Sequence, residues 1–498
     1  MRGIEVADGR FSGGISTKQP YFCGCAYVLR PDHLILIPAG LRVALRKIPL
    51  NWYWLLLLLL LPACVLQRID RTPYAETAYF EKTVRNLQSH PATVTTGDTL
   101  QVGWAKVNIT PPPPAPLAGY GKRLGMDYEQ VHDSAWVRTF AFDNGQTQAY
   151  FVSLDMLIVP MLVLKELEKE YPRLGLKPEQ VYLSATHSHT SFGGWGRKVG
   201  MKVMTGAYDA AIVHRLTQQI IQSMQLARQE LQPTRVGYGS ANAASLVKNR
   251  LTKSREDRDT ALRFLKFERP DGTLAILSFF SAHPTILPSM QPILSRDYPG
   301  VLVDALEERV AFAAFSAGAV GSHSAVYLQH DSFESTEEVG ERLSTILRRE
   351  LYQVETAYMT VLGYNRASLQ LPEPQWRISE NLRLAPALFR WVFGRQPAYV
   401  TSLQLGNIVL LGAPADYSGE FVEELQRAAR RQGLDAIVTS FNGGYIGYVT
   451  PDRHYNLDEY ETRSMSFFGP YSGSYLTDML LRLMRQHATP ADGTMPRH

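Results

Sequence analysis

Pairs of apolar runs joined by short turn sequences occur three times along the chain. The runs have the apolar and aromatic content of β-strands, and their connections contain Asn-Gly, Asp-Gly or Gly-Asn, which favour tight turns. The second runs of two pairs lead directly into His283 and Asp416. The sequence therefore predicts three hairpins, at Val137–Phe142 with Ala149–Leu154, Arg263–Phe267 with Leu274–Phe280, and Tyr399–Leu405 with Ile408–Leu411.

Helical spacing of apolar residues separates the hairpins. One helix is predicted between Asp209 and Leu231, and a second follows Ser418 as N-cap and stops at Gly433. His214 lies within the first helix and is interpreted as a structural or surface histidine. The alternation of hairpins and helices predicts an α/β fold, with a mixed β-sheet core and flanking helices, rather than a β-sandwich.

An uncharged apolar segment, residues 52–66, precedes the hairpins, and Arg42, Arg46 and Lys47 lie on its N-terminal side. It is short for a spanning helix of about 20 residues and suits the apolar part of a signal peptide. A transmembrane anchor and a cleaved signal both remain open, as does a lipoprotein cleavage site at Cys64. The basic flank predicts a cytoplasmic N-terminal side. The following domain is therefore expected on the extracytoplasmic side, membrane-anchored or secreted.

This segment divides the chain into four parts. Residues 1–51 are interpreted as an N-terminal extension, which a start codon placed too early would explain. Residues 67–100 are polar and predicted as a helical linker. Residues 101–498 form the predicted main domain, which is long enough to bury a large core.

Composition narrows the choice of partners and metal ligands. The 498 residues carry a formal net charge of +4 and contain no long Lys/Arg run of the kind that follows a phosphate backbone, so nucleic acid is not an expected partner. The three cysteines, Cys23, Cys25 and Cys64, all precede the main domain. A metal in that domain must therefore be held by nitrogen and oxygen ligands.

Histidines at predicted strand ends suggest such a metal. His187 and His189 follow the run Val181–Ala185, and if that strand continues through them they share one face, because side chains alternate along a strand. Three ligands and an open position are typical of zinc hydrolases, and His187, His283 and Asp416 would supply the three. From spacing alone a pair of satisfied polar histidines remains an equal alternative. Tyr448 and Tyr460 follow downstream, and spacing alone favours buried aromatic residues there.

Five segments together resemble one enzyme family. The segments SATHSHTSFGG (184–194), SAHPT (281–285), GYVTP (447–451), EYET (459–462) and FFGP (467–470) occur in the order seen in the neutral (non-lysosomal) ceramidases. The resemblance runs from about Val102 to the C-terminus. It implies a zinc amidohydrolase domain that cleaves the N-acyl bond of ceramide to a sphingoid base and a fatty acid. The implied substrate is thus a ceramide-like lipid.

The resemblance also implies roles for individual residues. His187, His283 and Tyr448 would bind Zn²⁺, and Asp416 would stand where the family has a glutamate ligand. His189 would stabilise the oxyanion and Tyr460 would contact the reacting amide. Arg250, in the shorter match Lys248-Asn249-Arg250, would line the site.

Three departures from the family pattern leave other functions open. Asp416 has a shorter side chain than glutamate, and Gly321 stands where the family has a serine that could act as a nucleophile, with Ser322 one position out of register. The C-terminal immunoglobulin-like domain of many members is also expected to be absent. Two alternatives therefore remain: a zinc hydrolase that acts on another amide or ester, and a non-catalytic lipid-binding protein. The sequence predicts no oligomeric state.

Overall fold

The computed structural model describes residues 65–327 and 332–487. The predicted membrane or signal segment, residues 52–66, lies almost entirely outside these ranges, as does the predicted extension 1–51. Within the described residues, no helix has both the length and the apolar character needed to cross a bilayer. Leu66 begins a short strand, Leu66–Arg68, which pairs antiparallel with Leu382–Leu384.

The stretch predicted as a linker, residues 67–100, belongs to the folded body. Its helix α1 (Ala78–Ser89) begins at the N-cap Thr77, and its strand β1 (Thr93–Thr96) pairs antiparallel with Val361–Tyr364. Leu87 of α1 is buried. The helical character was predicted correctly, but the linker interpretation was wrong, because a largely polar segment can still bury a narrow apolar face.

Three five-stranded sheets share one plan. In each, a hairpin supplies two antiparallel strands, and a later strand lies parallel to the second strand of that hairpin. The first sheet has the order β6-β2-β3-β4-β5, formed by β2 (Gln101–Asn108), β3 (Trp136–Asp143), β4 (Gln148–Leu154), β5 (Val181–Ala185) and β6 (Gln232–Pro233). The second has the order β10-β9-β8-β7-β11, formed by β7 (Arg235–Asn242), β8 (Ala261–Glu268), β9 (Leu274–Phe280), β10 (Phe312–Ala317) and β11 (Ala357–Tyr358). The third has the order β1-β12-β13-β14-β15, completed by β12 (Val361–Leu369), β13 (Ala398–Leu405), β14 (Ile408–Gly412) and β15 (Asp435–Thr439). All three predicted hairpins are confirmed as β3-β4, β8-β9 and β13-β14.

Helices connect the strands and cover the sheets. The remaining helices are α2 (Met161–Glu170), α3 (Val199–Thr205), α4 (Ala210–Gln229), α5 (Asp297–Glu307), α6 (Phe333–Leu351), α7 (Pro386–Phe393), α8 (Val422–Arg430) and α9 (Ser472–Arg485). Both helices predicted from periodicity are confirmed, α4 with Asp209 as N-cap and α8 after a short 3-10 turn capped by Ser418. His214 is exposed on α4, as predicted for a surface residue.

The inner faces of all three sheets meet in one central core. Large apolar side chains enter it from each sheet, among them Phe140, Phe151, Phe267, Leu277, Leu403 and Leu410. Separate apolar clusters join the outer faces to helices, the first sheet to α2 and α4, the second to α5 and α6, and the third to α1, α8 and α9. This arrangement confirms the predicted mixed sheet core with flanking helices. The loops after β4, β5, β9, β10, β14 and β15 contact one another at one end of the central core.

Candidate metal centre and active site

Loops from three different sheets bring together the three residues predicted as metal ligands from their strand-end positions. His187 follows β5, His283 follows β9, and Asp416 begins a two-residue strand, Asp416–Tyr417, after β14. Asp416 Oδ1 lies 3.0 Å from His283 Nε2 and 3.4 Å from His187 Nε2. All three side chains are buried. Each sheet therefore contributes one member of the cluster.

The reason given for the convergence of His187 and His189 was wrong. Strand β5 ends at Ala185, and His187 has a φ of 66°, in the left-handed region, so the two histidines are not alternating positions of one strand. Phe441, which follows β15, stacks on the His187 ring at 3.9 Å between centroids. The two rings are nevertheless adjacent, with 3.1 Å between their Nε2 atoms. A left-handed turn, rather than strand alternation, directs both towards one point.

Backbone carbonyls fix the orientation of two imidazoles. His187 Nδ1 lies 2.6 Å from the Leu157 carbonyl, and His283 Nδ1 lies 2.9 Å from the Val320 carbonyl. A carbonyl only accepts hydrogen bonds, so each Nδ1 carries the proton. Burial and the nearby positive charge of Arg250 lower the pKa of His283 to about 3, so this ring is neutral at neutral pH. Its Nε2 therefore presents a lone pair.

Asp416 presents one free oxygen to these nitrogens. Its Oδ2 accepts a hydrogen bond from Tyr445 at 2.7 Å, whereas its buried Oδ1 has no hydrogen-bond partner among the described residues. The short distances to His187 and His283 would be ion pairs only with protonated imidazoles, and His283 is neutral. Oδ1 thus faces nitrogen lone pairs, an arrangement that a cation at their common centre would satisfy. The residues present therefore fit a metal cation held by nitrogen and oxygen ligands.

His189 differs from the other two histidines in its surroundings. The ligand atoms of His187, His189 and His283 all lie within 4.8 Å of one another, so all three could approach a metal. However, His189 Nδ1 is buried without a hydrogen-bond partner in the described ranges, whereas metal-binding histidines usually donate their second N–H to an acceptor. Because the Leu157 carbonyl keeps the His187 proton on Nδ1, the contact between the two rings requires His189 Nε2 to donate its proton to His187 Nε2. The geometry is compatible with a catalytic donor at His189 beside a metal held by His187 and His283.

Tyr448 connects the histidines to Arg250. Its hydroxyl lies 2.9 Å from His283 Nε2 and accepts a hydrogen bond from Arg250 Nη2 at 3.0 Å. Arg250 Nε also pairs with the buried carboxylate of Glu461 at 2.6 Å. Tyr460 is about half exposed, and its ring makes an edge contact with that of Tyr448. All seven residues singled out from the sequence therefore lie in one contact network, although binding of a metal by Tyr448 stays a prediction.

The loop that contains Gly321 leaves no room for a serine side chain. A Cβ atom added at Gly321 would lie 2.3 Å from the Asp416 carbonyl oxygen, far inside contact distance. The adjacent Ser322 is also engaged elsewhere, because its hydroxyl contacts His323 Nδ1 at 2.9 Å and Ser418 Oγ at 2.6 Å. These contacts disfavour a serine nucleophile at either position.

An apolar pocket adjoins the cluster. His187, His189, Asp416, Tyr448 and Tyr460 line its polar end. Most of its remaining lining is apolar, namely Leu157, Ile158, Trp195, Met201, Met204, Phe393, Met465 and Phe467. A pocket with few polar groups at one end suits a substrate that joins an apolar chain to a polar, hydrolysable group.

Comparison with known proteins agrees with the resemblance. Residues 100–330 match the family described as neutral/alkaline non-lysosomal ceramidase, N-terminal. This part of the chain, a little under half of its length, is thus similar to that family. The neutral ceramidase of Pseudomonas aeruginosa is 26% identical over 212 residues, which are 37% of this chain and 31% of that protein. The alignment thus spans about a third of the relative's length.

The ceramidase likeness extends to the fold. The crystal structure of neutral ceramidase from Pseudomonas aeruginosa superposes with a TM-score of 0.66 at 19% identity, over 80% of this chain and 76% of that one. A ceramidase complexed with C2 gives a TM-score of 0.69, also at 19% identity, over 80% and 77% of the two chains. At this identity the likeness establishes the fold alone, and it reaches well beyond the residues of the family match.

Two site residues were missed from the sequence. Tyr445 holds Asp416, and Glu461 holds Arg250. Glu461 lies inside the EYET motif, directly after Tyr460, and Tyr445 lies just before the GYVTP motif, three residues ahead of Tyr448. Their position beside predicted site residues was the available signal, but nothing in the sequence indicates which atoms they contact.

Proposed function

We propose that this chain is a zinc-dependent amidohydrolase that cleaves the N-acyl bond of ceramide or a related lipid to a sphingoid base and a fatty acid. The free Oδ1 of Asp416, buried among imidazole nitrogens at the end of an apolar pocket, carries the proposal. The similarity of residues 100–330 to the ceramidase family supports the reaction and the lipid class.

His187, His283 and Asp416 would hold the zinc ion, with Tyr448 as the further predicted ligand. Zinc in such a site would supply water with a pKa of about 7 for hydrolysis. The carbonyls of Leu157 and Val320 keep each Nδ1 protonated, so that Nε2 remains free for the metal. Tyr445 keeps Asp416 turned so that Oδ1 faces the centre.

The other residues act on the lipid. The Nε2–H of His189, which contacts His187 here, is placed to donate to the carbonyl oxygen of the scissile amide as negative charge develops there. Tyr460 lines the pocket and is placed to contact the amide. Arg250 and its partner Glu461 fix the Tyr448 hydroxyl. The apolar wall excludes water from the acyl chain and orients the amide towards the polar end.

The same proposal includes a location. The uncharged segment at residues 52–66 with its basic flank favours a domain on the extracytoplasmic side, membrane-anchored or secreted. A lipid substrate suits that location.

Metal content and product release from the full chain test the proposal together. Protein purified without chelator should contain about one zinc per chain and release fatty acid from ceramide. Stoichiometric zinc with release only from another amide or ester would favour a changed substrate. Absence of zinc from such a preparation would remove the metal mechanism.

A further inference from the structure

Three short segments form both a wall of the apolar pocket and a continuous piece of surface. They are residues 118–126, residues 197–206, which include α3, and residues 386–396, which include α7. Their inward side chains line the pocket, among them Met201, Met204 and Phe393. The outward side of these segments is called the mouth surface below.

Close contacts at small residues join the three segments. A Cβ atom added at Gly200 would lie 2.5 Å from the Phe393 ring and 2.9 Å from Val392. One added at Gly121 would lie 3.1 Å from the Met204 sulfur. Residues on the outward side of these segments are therefore near neighbours around the pocket.

Large apolar side chains on this surface point into solvent. Leu124 is 75% exposed, Trp391 65%, Val199 55% and Val203 39%. Single exposed apolar residues are common, but a group of four around an apolar pocket is the pattern of an interaction surface.

The same segments are strongly basic. They contain seven Lys or Arg residues and no Asp or Glu. Lys122, Lys198 and Lys202 are exposed, and none of them forms an ion pair with any residue in the described ranges. Apolar side chains interspersed with unpaired cations suit the headgroup region of an anionic bilayer, where tryptophan is also favoured.

The described chain also begins next to one of these segments. The Ala385 N–H, immediately before α7, donates to the Val65 carbonyl at 2.7 Å, and Leu66–Arg68 pairs with Leu382–Leu384. The chain thus enters the described body beside α7. In sequence, the uncharged segment 52–66 ends at this point.

We propose that the mouth surface docks on an anionic phospholipid bilayer, with Trp391, Leu124, Val199 and Val203 entering the headgroup region and Lys122, Lys198 and Lys202 meeting lipid phosphates. The proposal of docking is argued from the mouth surface alone. The purpose of docking, which is to deliver a lipid from the bilayer to the pocket, rests on the proposed function. Docking would let an N-acyl lipid reach the pocket without crossing water.

The test measures the position of Trp391 in the full chain. Vesicles of phosphatidylcholine with phosphatidylglycerol, containing brominated acyl chains and no N-acyl lipid, quench tryptophans that enter the bilayer. Subtracting the emission of Trp391→Phe isolates the Trp391 signal from the other six tryptophans. About half or more of this signal should be quenched, since an interfacial ring lies about 5–10 Å into the headgroup boundary.

Charge reversal then tests the electrostatic part. Lys198→Glu with Lys202→Glu should reduce quenching of the Trp391 signal several-fold on anionic vesicles, since each basic residue near such a surface strengthens binding. Arg348→Glu with Arg349→Glu, on α6 outside the mouth surface, is the matched control and should leave quenching unchanged. Equal quenching in both double variants would overturn the proposal.

Two further outcomes separate the alternatives. If vesicles quench other tryptophans but not Trp391, the protein does not dock through this surface. If the Trp391 emission instead shifts with protein concentration in the absence of vesicles, the surface binds a second copy of the chain. Hydrolysis of a soluble short-chain N-acyl lipid is measured on the same preparations. Quenching of Trp391 without any hydrolysis would support docking while contradicting the proposed function.

Discussion

The Tyr445 hydroxyl donates to Oδ2 of Asp416 at 2.7 Å, and this leaves only Oδ1 of that carboxylate facing His187 and His283. An aspartate side chain is shorter than that of the glutamate expected from the family resemblance. Fixing one oxygen limits the rotation of the other. Asp416 would therefore bind a metal through a single oxygen.

Removal of the Tyr445 hydroxyl should weaken metal binding. We expect Tyr445→Phe to lower zinc affinity about 10- to 100-fold, the usual effect of losing a group that orients a ligand. Competition with a chromogenic chelator measures this directly. Tyr171→Phe is a matched control, because the buried Tyr171 hydroxyl has no hydrogen-bond partner in the described part of the chain. Equal affinities of the two variants would contradict the orienting role.

Substitutions of the two histidines in the His-Ser-His segment should have different effects on metal binding and on catalysis. His187→Ala is expected to lose zinc, because it removes a ring oriented by the Leu157 carbonyl towards Asp416. His189→Ala is expected to keep zinc but lose about 10² to 10³ in kcat, the usual cost of one oxyanion donor. Metal analysis measures the zinc content of each variant, and steady-state kinetics measure its kcat. Equal metal loss in both variants would make His189 a ligand.

The pair of Arg250 and Glu461 should affect catalysis without holding the metal. Glu461→Gln keeps the shape of the side chain but removes the charge 2.6 Å from Arg250 Nε. Arg250 would then fix Tyr448 less firmly, and we expect kcat to fall about tenfold or more with zinc content unchanged. A fall in zinc content equal to the fall in kcat would show instead that the pair supports the metal ligands.

A serine at position 321 should damage the site. Gly321→Ser forces a side chain against the Asp416 carbonyl, so we expect about 1–3 kcal/mol of destabilisation and weaker zinc binding. Urea denaturation and chelator competition provide the two measurements. A variant with unchanged stability and higher activity would instead support a serine nucleophile in this fold.

Stability should depend on pH through His487. This buried histidine contacts Ser402 and Gln404, and burial lowers its pKa from 6.5 to about 4. The unfolded chain then binds a proton between about pH 6.5 and 4 that the folded chain does not. The free energy of unfolding therefore decreases as the pH decreases from about 6.5 to 4, by up to about 3 kcal/mol for this group.

His487→Gln should flatten that dependence. Denaturation of metal-free protein at several pH values compares the slopes, with His214→Gln on the exposed face of α4 as control. If the slope is equally steep in wild type and in His487→Gln, the pKa of His487 in the folded protein is not lowered.

Local patterns were sufficient to predict the hairpins and two helices, because strand alternation, turn residues and helix caps act over a few neighbouring residues. His283 and Asp416 could be grouped because both follow the return strand of a hairpin. Tyr445 and the tight contact at Gly321 could not be predicted, since both depend on how the loop of one sheet meets that of another. The left-handed turn at His187 was missed because this conformation is uncommon for any residue other than glycine.

The cluster draws one residue from each of the three sheets, which has a consequence for assembly. Neither a single sheet nor the fragment 100–330 contains the full ligand set, because Asp416 comes from the third sheet. High-affinity zinc binding would then appear only after all three sheets have closed on the central core, and zinc would stabilise that closed state over partly assembled ones. Metal uptake during refolding would therefore report completion of the whole domain rather than formation of a local loop.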